Sequence, residues 1–427
     1  MMAVALVVLL VFMALAIPVA ISLGILGITL EQIFSPLPLI RAIGEVSWSA
    51  SNEFLLVSVP MFILLGEILL RSGFAERMYA ALINWVSWLP GGLMHSNIAA
   101  CAVFAATSGS SVATAATVGT VALPEARRFG YNERLFLGTL AAGGTLGILI
   151  PPSINMIIYA VLTNASVPKL YLAGIVPGLA LVLVFMTTIL VLCLLRPAWG
   201  GRSVSATWAA RFAGLVHLLP PLGIFALVVG SIYAGVATPT EAASLGVLGA
   251  LGLAWWAGKL SIAMLKEAFE GTMKSTAMVM LIVVAAYFLN FVISAIGLTT
   301  MLTDFIENLG LPKAATLFAV ILFYVVLGCF METLSMMITT IPIIAPVMFK
   351  LGYDPVWFGI LVILLIETAL VTPPVGLNLF VVQNLRTGGS LNDVILGTAP
   401  FVVALFAMIF LLTLFPGLAL WLPGLLS

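Results

Sequence analysis

Long apolar runs alternate with short polar pieces along the chain. Runs at 4–30, 54–71, 134–160, 169–195, 211–235, 240–258, 275–296, 355–383 and 398–425 each have the length expected of a membrane span. A helix needs about 20 residues to cross the hydrocarbon core. Lipid admits helices because an unpaired backbone group is costly there. Two further apolar regions, 93–125 and 316–348, are interrupted near their middles by Gly, Ser, Thr or other polar residues. Each could be one long span, two spans with a tight loop, or a hairpin that dips halfway and returns. Legs of about 15 residues reach roughly 20 Å, past the midplane but not across it. The pattern predicts half-span hairpins within an all-α polytopic membrane protein.

Amphipathic pieces lie between the runs: "LPLIRAIGEVSWSASNEF" (37–54), "SGFAERMYAALINWVSWLPGG" (72–92), "KLSIAMLKEAFEGTMK" (259–274) and "GLTTMLTDFIENLG" (297–310). They predict helices lying at the interface, with Trp48, Trp85 and Trp88 at headgroup level. The first 30 residues read as a span rather than a cleaved leader, because they have no basic start and no small-residue cleavage site.

Composition agrees. The chain of 427 residues is 63% hydrophobic and 7% charged, with mean hydropathy +1.26. Soluble domains carry about a quarter charged residues. Zero net charge gives no reason to expect nucleic acid. Cys101, Cys193 and Cys329 form no CxxC, and His95 and His217 stand apart, so neither a metal centre nor a disulfide framework is expected. No HExxH, no Walker loop and no soluble domain is visible, which argues against an enzyme. With spans alternating, hairpins returning to their own side and the N-terminus inside, 12 of the 16 Lys and Arg fall on the cytoplasmic side.

An internal repeat appears at a shift of 222 residues: Pro124 with Pro346, Gly130-Tyr131 with Gly352-Tyr353, Phe136 with Phe358, and Pro151-Pro152 with Pro373-Pro374. In this topology the copies have opposite orientations. An inverted repeat with paired broken helices points to a secondary transporter with its site near the midplane.

The candidate chemistry sits at the interruptions. "TSGSSVATAATVGT" (107–120) marks the first tip. A turning backbone frees carbonyls, and these with Ser108, Gly109, Ser110 and Ser111 offer hard oxygen ligands for a small cation. The helix N-terminus beyond the turn suits an anion. The competing reading is a small-residue packing face. The next run carries "GGTLGILIPPSIN" (143–155), where two prolines free carbonyls from Gly147 to Ile150. The second copy reads "GCFMETLSMMITT" (328–340) and "ETALVTPPVGLN" (367–378), with carboxylates at Glu332 and Glu367. An intramembrane carboxylate is a functional candidate by default. Ion binding, proton binding and structural hydrogen bonding all remain open for it.

"TSGSSVATAATVGTVALPE", "GGTLGILIPPS", "ATPTEAA" and "ETALVTPPVGLNLFVV", in that order, resemble the large membrane subunit of tripartite ATP-independent periplasmic (TRAP) transporters. The resemblance covers nearly the whole chain. It implies a bacterial inner-membrane symporter driven by sodium, with no cofactor. It implies two partners, a periplasmic substrate-binding protein that delivers an organic anion and a separate small four-helix membrane subunit. It implies an elevator: scaffold over 1–92 and 197–311, transport repeats over 93–196 and 312–397, and a last span over 398–427. Sodium would then lie where tips meet breaks, at Ser108, Gly109, Ser110, Ser111 and Gly147 with Gly328, Met331 and Thr333, and at Thr368 and Val371. Substrate would lie between the tips, near Thr107, Ser153, Asn155, Glu332, Thr372 and Asn378. A stand-alone sodium–anion symporter of similar fold is the nearest rival. An anion channel and a passive structural subunit are more distant ones.

Overall fold

Most breaks in the helices fall where proline or glycine removes the means of continuing. The computed structural model describes all residues except 16, 203–205, 302, 303, 305–311, 387 and 427, and every regular element among them is helical. The first run divides at Pro18, which has no N–H to donate, into α1 (Met2–Ala14) and α2 (Val19–Phe34) rather than one span over 4–30. Then come α3 (Ile43–Ser51), α4 (Ser58–Arg71) and α5 (Phe74–Val86). The first interrupted region forms α6 (Leu93–Ser108) and α7 (Ser111–Phe129). The run after it is broken into α8 (Glu133–Leu149) and α9 (Ile154–Thr163), bent by 42°. α10 (Val167–Leu195) follows.

Three expectations for the middle and end need correction. The run 211–235 is two helices, α11 (Trp208–Leu215) and α12 (Leu219–Tyr233), bent by 41° where Pro220-Pro221 open the second. α13 (Pro239–Trp256) is as expected. The amphipathic piece 259–274 and the span 275–296 form one helix of 34 residues, α14 (Ile262–Ala295), because only Gly271 interrupts them. The piece 297–310 lies largely outside the described residues. The second interrupted region gives α15 (Lys313–Gly328) and α16 (Thr333–Lys350), and its broken run gives α17 (Pro355–Leu370) and α18 (Leu377–Asn384). The run 398–425 divides before Pro416 into α19 (Leu391–Leu414) and α20 (Gly417–Leu426). Five unbroken segments, one of them containing α16, are long and apolar enough to cross a membrane, or seven with each bent pair as one span, among the described residues.

The 222-residue spacing holds at the level of local geometry. Ser110 and Glu332 cap α7 and α16, Asn132 and Asp354 cap α8 and α17, and Pro151-Pro152 and Pro373-Pro374 are both cis. In each copy both hairpin legs pack on the helix that follows, α6 and α7 on α8, α15 and α16 on α17. The copies also exchange their second half-helices. α9 packs on α16, and α18 packs on α7. A second group, α2, α4, α13 and α14, packs together and meets α6 through α4.

Between helices in lipid the hydrophobic effect gives little attraction, so close backbone approach and van der Waals contact carry the packing. The α8–α19 contact shows this. A Cβ built on Gly138 would lie 2.0 Å from the Gly397 carbonyl oxygen, and one on Gly397 would lie 1.8 Å from that of Arg134. No side chain fits at either place. Arg134 and Asp393 close the same end with a 2.8 Å ion pair.

Candidate functional site

The first tip is a two-residue turn. Gly109 has φ 60°, a left-handed conformation that glycine adopts without strain, and it ends α6. Ser110 caps α7, its hydroxyl accepting from the Ala113 N–H at 3.4 Å. Its carbonyl accepts the Thr114 hydroxyl at 2.7 Å. Ser108 and Thr114 hydroxyls lie 3.0 Å apart. Thr107 donates to the Phe104 carbonyl at 2.8 Å.

This turn is seated in the break of the following helix. The Ser111 hydroxyl donates to the Thr145 carbonyl at 3.3 Å. A Cβ on Gly147 would stand 2.6 Å from the Ser110 carbonyl oxygen and 2.8 Å from the Ser111 nitrogen, so only glycine lets the tip sit there. Gly109 rests against the carbonyl of Pro152, just beyond the end of α8. The cation-ligand candidates Ser108, Gly109, Ser110, Ser111 and Gly147 therefore share one place.

The second tip repeats the plan with other residues. Gly328 ends α15 against Ala369 of α17. Met331 is buried. Glu332 caps α16, its carboxylate accepting from the Ser335 N–H and hydroxyl, both at 3.1 Å, and from the Thr333 hydroxyl at 2.9 Å. The Val375 N–H donates to the Cys329 carbonyl at 3.3 Å, which ties this tip to its own break. Thr368 and Thr372 hydroxyls donate to the Leu364 and Thr368 carbonyls at 2.9 Å and 2.6 Å, and Val371 is the cap residue that ends α17.

The two helix N-termini thus differ in charge. α7 ends on a neutral hydroxyl. α16 ends on a carboxylate that already complements the positive helix end, an arrangement worth about 0.3–2 kcal/mol. Of the roles open to Glu332, capping is the one the side chain performs here.

At the breaks, Ser153 donates to the Ile148 carbonyl at 2.6 Å and caps α9. Asn155 is buried with Nδ2 unpartnered among the described residues. Asn378 donates to the Ala141 carbonyl at 3.1 Å, with Oδ1 unpartnered. Each asparagine is the second residue of its half-helix, α9 or α18. They are therefore counterparts, at a spacing of 223 rather than 222, because "PPVGLN" holds one residue more than "PPSIN". Asn378 reaches the other copy, meeting α8 at Gly144 beside Ala115 of α7. Glu367 is fully buried beside the Leu149 backbone at the end of α8, without a hydrogen bond of normal geometry. No hydrogen bond joins the first tip, Ser108–Ser111, to the second, Gly328–Thr333, among the described residues.

Three positions carry roles that their sequence context did not reveal. Tyr131 and Tyr353, already paired by the repeat, each close the open end of their hairpin. The Leu93 N–H donates to the Tyr131 hydroxyl at 2.9 Å, and the Tyr353 hydroxyl donates to the Lys313 carbonyl at 3.1 Å. Gly66 of α4 meets the first tip. A Cβ there would lie 3.2 Å from the Ser108 carbonyl oxygen. Glu67 pairs with Arg71 and lies against Gly271 of α14.

Comparison with known proteins agrees with this architecture. The family described as the DctM component of the tripartite ATP-independent periplasmic transporter matches residues 6–418. The C4-dicarboxylate TRAP transporter large permease protein DctM of Pseudomonas aeruginosa is 33% identical over 406 residues, covering 94% of each chain. The ectoine TRAP transporter large permease protein TeaC of Halomonas elongata is 32% identical, covering 87% of this chain and 86% of that one. The crystal structure of the Alcanivorax borkumensis YdaH transporter shares the fold at TM-score 0.60 and 16% identity, covering 96% of this chain and 98% of that one. These relatives are transporter permeases rather than enzymes, and the chain belongs to the family of TRAP transporter large membrane subunits.

Proposed function

We propose that the chain performs sodium-coupled uptake of a small organic anion, handed over by a periplasmic binding protein, across a bacterial inner membrane. The observation that carries this reading is the seating of each hairpin tip in the break of its own following helix. There hydroxyls and helix-end carbonyls converge, as at Ser110, Ser111, Thr145 and Gly147. Such oxygens suit a hard monovalent cation. The adjoining N–H groups of α7 suit a carboxylate. The neutral cap of α7 makes the first tip the anion end, since the N-terminus of α16 already holds Glu332.

The two hairpins and their broken helices move as one unit past a scaffold of α2, α4, α13 and α14. An anion alone carries uncompensated charge through that passage, whereas an anion with its cations is near neutral. Coupling is the difference. The relatives' names span C4-dicarboxylates, ectoine and isethionate, which makes a small organic acid or a zwitterion of similar size the expected cargo. A small membrane subunit is the partner this reading requires. The isethionate relative, named DctMQ, extends beyond the 65% of its length that this chain matches.

Uptake by proteoliposomes holding this chain and its small subunit tests the proposal. Accumulation of a carboxylate should require both external sodium and the loaded binding protein. Accumulation from free acid alone would assign the chain to the stand-alone symporters, and accumulation without sodium would remove the coupling.

A further inference from the structure

α12 and α13 lie side by side and leave an apolar groove of about 400 Å³ between them. Its floor includes Pro220, Gly223 and Gly249, and its sides include Leu219, Leu227 and Trp256. Gly223 has nothing within 4 Å of where a Cβ would stand. The side residues are exposed and bulky, Leu219 at 63% and Trp256 at 66%. A helix is about 10 Å across with its side chains, so these residues would hold a partner helix off the glycine floor. A single hydrocarbon chain slips between them.

The end of the groove that carries Val216 and Trp256 is basic. Arg211 lies on α11, just before Val216. Its guanidinium stacks 4.6 Å over Trp208, and its Nε is buried with no partner among the described residues. Lys259 follows Trp256 by three residues, past Gly258, which turns the chain at φ 67°. Neither cation is in an ion pair with an acidic side chain among the described residues. Two cations without acidic partners, within five residues of Val216 and Trp256 along the chain, beside an apolar-lined slot flanked by Trp255 and Trp256, match an acyl chain ending in an anionic headgroup.

We propose that this groove seats one anionic phospholipid, with an acyl chain between α12 and α13 and its phosphate beside Arg211 and Lys259. The site lies apart from the hairpin tips and does not depend on what they carry.

The test is native mass spectrometry of the transporter, purified with its membrane partner from nanodiscs of phosphatidylglycerol and phosphatidylcholine. Gly223→Leu fills the groove with a side chain that has room, so bound phosphatidylglycerol should fall by one molecule per chain. Gly249→Leu, whose Cβ would meet Leu227 at an ordinary 3.4 Å, should do the same if the first variant folds poorly. Gly252→Leu, on α13 with open space around it and outside the groove, should leave the count unchanged. Arg211→Gln should keep a lipid in place while its preference for phosphatidylglycerol drops about five-fold, the worth of one basic residue at an anionic headgroup. Unchanged phosphatidylglycerol in both groove-filling variants would overturn the proposal. Loss of the small subunit with lipid retained would overturn it too, making the groove a protein interface.

Discussion

Replacing Gly147 by alanine perturbs the first tip through one added carbon. That Cβ would lie 2.6 Å from the Ser110 carbonyl oxygen, 2.7 Å from its carbon and 2.8 Å from the Ser111 nitrogen, where ordinary contact begins at 3.4 Å. All three atoms are backbone, so no side chain can swing away. The tip must retreat by about 0.8 Å, and overpacking of this kind costs about 1–3 kcal/mol. Oxygen–cation distances tolerate only about 0.2 Å, so the displaced Ser110 and Ser111 oxygens leave any shared cation. If the strain is relieved by giving up that ligation, sodium affinity falls by about 5- to 150-fold, at tenfold per 1.4 kcal/mol. The assay is the sodium dependence of uptake in proteoliposomes at saturating binding protein. Half-saturating sodium should rise by that factor at equal protein level. Gly252→Ala, with nothing within 4 Å of its Cβ, is the matched control. An unchanged sodium curve for Gly147→Ala would refute the placement of the cation at this seat.

Three other substitutions separate ligand roles from structural ones. Ser110→Ala removes the α7 cap, worth about 1 kcal/mol, and Ser111→Ala removes the hydroxyl on the Thr145 carbonyl. Both should weaken sodium activation of uptake more than they weaken binding-protein docking, and normal sodium dependence in both would count against the assignment. Glu332→Ala removes three accepted hydrogen bonds, so the melting temperature should fall while the range of acids carried stays the same. A changed range with an unaltered melt would restore Glu332 as a substrate ligand. Tyr131→Phe leaves the buried Leu93 N–H without its acceptor, a loss of about 1–3 kcal/mol. Tyr353→Phe frees only an exposed carbonyl, so it should melt closer to wild type, and equal melts would refute the difference.

The hairpin turns were legible because "TSGSS" joins a glycine suited to positive φ with a serine suited to an N-cap, two local requirements met by adjacent residues. The repeat was legible where it is carried by rigid residues such as Pro151-Pro152 and Pro373-Pro374. It was hidden where one inserted residue moves Asn378 out of phase with Asn155, because a fixed shift cannot follow an insertion. The division of the first run at Pro18 was missed because apolar composition alone does not say whether a proline kinks a helix or ends it. The fusion of 259–274 with 275–296 was missed for the opposite reason. The change from amphipathic to apolar composition after Lys274 does not mark a break in the backbone, and Gly271 inside the continuous helix makes room for the Glu67 carboxylate, 2.8 Å from where its Cβ would be. Glu332 illustrates the limit for charges. A carboxylate one residue before a helix reads equally as ligand or cap until the Ser335 N–H is seen to donate to it.

The claim that the first hairpin moves past α4 during transport has a direct test. A Cβ on Gly66 would lie 3.7 Å from that of Ser108, within the about 3.5–4.5 Å that a disulfide spans. The measurement is uptake by Gly66→Cys/Ser108→Cys, in a background with Cys101, Cys193 and Cys329 replaced, before and after oxidation. Ser108→Cys with Gly66 intact controls for loss of the serine. A moving tip predicts that oxidation stops uptake and that reductant restores it to the level of the unoxidised double variant. Uptake that continues at the same rate with the crosslink formed would contradict the movement and, with it, the elevator account.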